Sequence, residues 1–135
     1  MIWHAPVLSL LRESGLFREV RMEGAKVRAT LDDNRFLDIH FDPESRSYSY
    51  AFIDPSLSYA GDKRLFGWDD FPHIGDAALA GLSDYPHHFQ RRGSDGRWQF
   101  SPSEFRGEID AEIVKVIEYV RRFLANEAKG AADNA

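Results

Sequence analysis

The sequence predicts an α+β domain, an antiparallel meander sheet of about six strands with a short N-terminal helix and a long C-terminal helix packed on one face. Three observations carry this. Apolar and polar residues alternate with a period of two through Lys26–Ile53, broken by turn formers. A stripe at helical spacing runs from Ile109 to Leu124. A short apolar run opens the chain between Pro6 and Gly15, residues suited to a first helical turn and to a helix end.

Taken in order, Val7, Leu8, Leu10 and Leu11 form the inner side of the first helix, and Gly15 ends it. Phe17, Val20 and Met22 lead into the turn pair Glu23-Gly24. Val27, Ala29 and Leu31 then alternate with Lys26, Arg28 and Thr30, as in a half-buried strand. Asp32-Asp33-Asn34 supplies a turn. The next strand sets Leu37, Ile39 and Phe41 against Asp38 and His40 on its other face, and Asp42-Pro43-Glu44-Ser45 turns the chain again. Tyr48, Tyr50 and Phe52 share a face of a third strand, and Lys63–Trp68 reads as a fourth. Residues 72–86 carry Pro72, Gly75, Gly81 and Pro86 and read as a long loop with one helical turn over Asp76–Ala80. Loops of this length in a compact domain are usually functional or mobile. His87–Arg91 and Arg97–Phe100 make a hairpin around Gly93-Ser94-Asp95-Gly96. In the last helix Glu108, Asp110 and Glu112 crowd the start while Arg121 and Arg122 come later, matching the helix dipole. The domain is expected to span residues 1–127, and residues 128–135, without an apolar anchor, are expected to fray.

A length of 135 residues with 43% hydrophobic and 29% charged content fits one globular domain. The net charge of −5 argues against a chain that attracts nucleic acid as a whole, although Gln90-Arg91-Arg92 leaves room for a local basic patch. There is no cysteine, which excludes disulfides, thiolate catalysis and cysteine-type zinc sites. No secretory signal is expected from Met1–Pro6, and no apolar stretch approaches the ~20 residues that span a bilayer. A cytoplasmic protein with no membrane association is the expectation.

Acid-base capacity concentrates in Trp68-Asp69-Asp70-Phe71-Pro72-His73 and in Tyr85-Pro86-His87-His88-Phe89, which hold three of the five histidines. Histidine, with an ordinary pKa of ~6.5, gives and takes a proton near neutral pH. Taken singly, each of these residues has a plain structural reading, as packing, turn capping or exposed surface. Together they suit general acid-base cleavage of a phosphodiester. His73 and either His87 or His88 would be acid and base, Asp69 or Asp70 would orient a histidine, and Arg64 or Arg91 would hold the phosphate. Trp68 would form a wall or stack on a base, and His40 and Asp38 would share the face on which the histidines converge. The spacing matches no standard metal motif, and no cofactor is expected. No Walker loop, dinucleotide fingerprint or nucleophile elbow is present.

The succession Asp33-Asn34, Tyr48-x-Tyr50-x-Phe52, Trp68-Asp69-Asp70, Pro72-His73 and Pro86-His87-His88 resembles the TumE-like toxins of bacterial toxin–antitoxin modules, over roughly residues 25–125. The chain departs from that pattern at Asp70, where Asn is usual, at Ile74 in place of a second histidine, and at Phe89-Gln90 in place of a lysine–histidine pair. The resemblance implies a small bacterial protein that inhibits growth and is neutralised by an antitoxin, with RNA as a target such toxins commonly take. The other reading, from a different class, is a non-catalytic binding module that occupies a partner through the Trp68–His88 surface, with Trp68, Phe71 and Tyr85 as its contacts. Sheet edges and aromatic faces also make a homodimer an expectation.

Overall fold

The computed structural model describes residues 2–58, 61–72 and 75–133, with side chains as far as residue 131. The elements follow the chain as α1 (His4–Glu13), β1 (Glu19–Glu23), β2 (Lys26–Thr30), β3 (Phe36–Phe41), β4 (Tyr48–Ile53), β5 (Arg64–Asp69), α2 (Ala77–Ala80), β6 (His88–Arg92), β7 (Trp98–Pro102) and α3 (Ile109–Asp133). The strands lie side by side in the order of the sequence, each antiparallel to the next. The sheet has seven strands where the sequence reading expected about six. The additional one is β1, an edge strand in which only Val20 is buried. It pairs along its length with β2, from Glu19 opposite Thr30 to Glu23 opposite Lys26.

One face of the sheet carries the core. Val27, Ala29, Leu37, Ile39, Phe41, Tyr48, Tyr50, Phe52, Phe66 and Trp68 are buried there. Ile109, Ile113, Val116, Ile117 and Val120 of α3 close over them, and Trp3, Val7 and Leu11 of α1 join the same cluster. Antiparallel strands expose alternate residues to opposite faces, so the other face receives Arg28, Asp38, His40, Ser49, Ala51, Gly67, Asp69, His88 and Gln90. Gly67 is required where β4 and β5 cross. A Cβ there would meet the Tyr50 carbonyl oxygen at 2.8 Å and the Ala51 Cα at 3.3 Å.

The long segment after β5 contains α2, capped by the Asp76 side chain accepting from Leu79 N–H, and it buries Leu79 completely. In α3 the apolar stripe stops near Leu124, yet the helix continues to Asp133 through a stretch in which alanine, the best helix former, recurs. Glu127 in this extension pairs with Arg35 at 2.7 Å. No described helix is long and apolar enough to cross a membrane.

Candidate functional site

The start of β4, the end of β5 and the start of β6 lie side by side, so residues distant in sequence meet at one end of the sheet. The register places Ser49 opposite Asp69 and Asp69 opposite His88. With a side-chain period of two, neighbours in this row point to opposite faces. Trp68 therefore enters the core, while Asp69 and His88 go to the open face. His87, one residue earlier, returns to the helix side beside Tyr48.

On the open face, Asp69 and His88 are fully buried. Asp69 Oδ2 accepts from Arg64 Nη1 at 2.8 Å, and Asp69 Oδ1 accepts from Phe71 N–H at 2.9 Å. The His88 ring has Nδ1 2.9 Å from the Pro86 carbonyl, which can only accept, so Nδ1 carries a proton. Its Nε2 lies 2.9 Å from Gln90 Oε1 and 3.3 Å from Asp69 Oδ1. Every ring nitrogen is spent on internal bonds and the residue is 0% exposed. Asp70 accepts from Ser47 Oγ at 2.8 Å and from Tyr48 N–H at 3.3 Å, which ties β5 to the start of β4.

On the helix side the arrangement differs. The Tyr48 hydroxyl has one proton, and it donates to the Phe105 carbonyl at 3.0 Å. His87 Nδ1 lies 2.8 Å from the same hydroxyl and must be the donor to it. This puts the ring proton on Nδ1 and leaves the Nε2 lone pair without a hydrogen bond among the described residues. The imidazole stacks on the Tyr48 ring with centroids 5.8 Å apart. Burial, and then the nearby Arg106 guanidinium, lower the His87 pKa from its ordinary value, so the ring is a neutral base at pH 7. Arg106 is held by Asp84 at 2.7 Å and by the Ser103 and Phe105 carbonyls, also at 2.7 Å, with its side chain 42% exposed. Buried Glu112 fixes this segment from the first turn of α3. It accepts from Arg106 N–H, Gly107 N–H and the Tyr50 hydroxyl, at 2.7, 3.2 and 2.7 Å.

The sequence-predicted residues thus fall into separate groups. His87 stands at the helix-side site. His88, Asp69 and Arg64 form the buried open-face network. His40 shares the cross-strand row of Asp69 and His88 but sits two strands away and is exposed, and Asp38 accepts from Arg28 at 2.8 and 3.0 Å. Trp68 is 7% exposed among Phe66, Phe89, Phe105 and Tyr119, so its ring offers no free face for a base. Arg91 lies on the helix side of β6, away from Arg64. His73 lies outside the described residues. Sequence reasoning missed Tyr48, Arg106 and Glu112 as members of the site. Tyr48 looked like sheet packing, and Arg106 and Glu112 reach the site only through a loop that returns from β7. Among the described residues no three His, Asp or Glu side chains group as a metal would require.

Comparison with protein families finds a match to the family described as Toxin TumE over residues 7–124. The match begins inside α1, earlier than the motif succession alone suggested. No curated protein and no solved structure matches the chain.

Proposed function

The chain belongs to the TumE toxin family, and from that premise we propose that it inhibits growth by cleaving RNA without a metal, with His87 as general base. The observation that supports this is the proton chain from His87 Nδ1 through the Tyr48 hydroxyl to the Phe105 carbonyl. It fixes the imidazole with its Nε2 lone pair unbonded, and the Arg106 guanidinium is near enough to act on the ring's charge. Nε2 would take the proton of a ribose 2′-hydroxyl, whose oxygen attacks the adjacent phosphorus and expels the 5′-oxygen. Arg106 would hold the phosphate oxygens as charge develops on them. The complementary acid, expected at His73, lies outside the described residues. His88 and Asp69, with every polar atom engaged inside the fold, act on stability and position. The partner that goes with this reading is an antitoxin, and the place of action is the cytoplasm.

The test is growth of a bacterial host expressing the native chain or His87→Ala, followed by cleavage of RNA by the purified proteins. The expected outcome is arrest by the native chain, relief by His87→Ala with unchanged circular dichroism, and a cleavage rate lower by about 10²–10⁴-fold. Cleavage that persists in the folded His87→Ala protein overturns the assignment.

A second reading has its own observation. Phe71 and Tyr85 are 62% and 40% exposed on the loop segment beside the site. They suit a module that acts by occupying a partner. Arrest that survives His87→Ala but is lost in Phe71→Ala/Tyr85→Ala favours it.

A further inference from the structure

Most described arginines lie against carboxylates, as Arg28 does on Asp38, Arg35 on Asp32 and Glu127, and Arg64 on Asp69. Two between β6 and α3 do not. Arg91 donates only to the neutral Gln99 side chain, at 3.0 Å. Arg122 and the Tyr119 hydroxyl have no polar partner among the described residues. Arg91, Tyr119, Arg122, Phe123 and Asn126 together line a cavity of about 260 Å³ between β6 and α3. Both guanidinium groups act on the Tyr119 hydroxyl, where they favour the phenolate against the burial that opposes it. Two positive groups, a phenol and an amide around one hollow, with no carboxylate facing it, describe an anion site that the chain's own acids leave unfilled.

The position of this hollow is informative. Along β6 the side chains that face α3 are His87, Phe89 and Arg91, at i, i+2 and i+4. At ~3.3 Å per residue Arg91 lies ~13 Å from His87. Phe89, half-buried against Trp68 and Tyr119, lies between them. On the near side of this row, Gln99 and Ser101 of β7 are exposed, so α3 leaves the strip uncovered. On the far side, Lys115, Tyr119, Arg122 and Asn126 follow one another at helical spacing along α3.

We infer that this strip is the track for a single-stranded RNA segment next to the scission point, with a backbone phosphate between Arg91 and Arg122 and a base against Phe89. It rests on the ribonuclease reading and adds to it the substrate's path. Cations spaced along a groove with an aromatic side chain between them are the physical pattern of single-strand binding. The row also ends on His87, the base that would take the proton of the 2′-hydroxyl. An acidic protein segment would use the same charges but has no reason to run toward His87.

The experiment measures binding of a short fluorescent oligouridylate to full-length His87→Ala protein, which binds without turnover, over a range of salt concentrations. Arg122→Glu, and Arg91→Glu/Arg122→Glu, are then made in that background. Arg122 is exposed and makes no polar contact, so its single variant keeps the fold. The expected result is affinity lower by about tenfold or more for the double variant, and a salt slope reduced by ~0.7 for each lost phosphate contact. Equal affinity and slope in both variants overturns the track while the ribonuclease reading stands. Failure of the His87→Ala protein to bind the oligonucleotide at all overturns both. Loss of poly-glutamate binding with unchanged oligouridylate binding assigns the strip to an acidic protein and overturns the RNA path.

Discussion

His87 and His88 are adjacent, and the fold gives them opposite surroundings. His87 keeps one nitrogen unbonded among the described residues, whereas His88 has both turned onto Pro86, Gln90 and Asp69. Asp69 is the centre of the second arrangement, since it faces Arg64, His88 and Phe71 N–H while buried. Removing it takes the buried carboxylate from Arg64, His88 and Phe71 N–H together, leaving Arg64 with Asp62 and His88 with Gln90 and Pro86. Asp69→Ala is therefore expected to lower the unfolding free energy by about 3–5 kcal/mol, measured by urea denaturation, whereas His87→Ala should change it by less than about 1.5 kcal/mol. Similar losses in both variants would show that the two histidines are not divided in this way. The Pro-His-His step was legible in the sequence as a concentration of acid-base groups. Which imidazole remains available was not, because a single residue of register decides it. Arg106 was illegible for another reason, since its approach to His87 depends on where the loop after β7 lands.

At the scale of elements, the strands were readable wherever one face is apolar and the other polar, as in Leu37-Asp38-Ile39-His40-Phe41. β1 was undercounted because an edge strand buries little, and the alternation around Val20 and Met22 was short. The length of α3 exceeded its apolar stripe for a related reason. Helix propensity continues the backbone where packing no longer acts on it. β5 pairs with β4 at Gly67 with no room for a side chain. Gly67→Ala should force the strands apart, because the nearest obstacles are backbone atoms that cannot rotate away. A loss of about 1–3 kcal/mol is expected, measured by thermal or chemical unfolding. An unchanged midpoint would mean that the sheet yields there. Because Asp69 and Trp68 follow directly, the same variant should also disturb the site.

For the whole molecule, the lowered pKa of His87 ties stability to pH. The ring in the fold protonates at a lower pH than the 6.5 of a free histidine. As pH falls below ~6.5, the unfolded chain binds the proton first, and stability is lost down to the folded pKa. Above ~6.5 this contribution is fully present. The native protein should thus lose more stability than His87→Gln between pH 7 and pH 5.5, in parallel denaturation curves. An identical loss in both would remove His87 as the cause. A different consequence belongs to the order of the strands. Each strand pairs only with those made just before or just after it, so the sheet can grow in step with synthesis and needs few distant contacts. Its apolar face has only α1 as cover until α3 is made, and Phe105, Arg106 and Glu112 arrive only with that last quarter of the chain. Before then His87 has no Phe105 carbonyl to orient it through Tyr48. On the proposed reading of His87 as the base, the growing polypeptide therefore lacks a finished site until its last quarter has been made and folded.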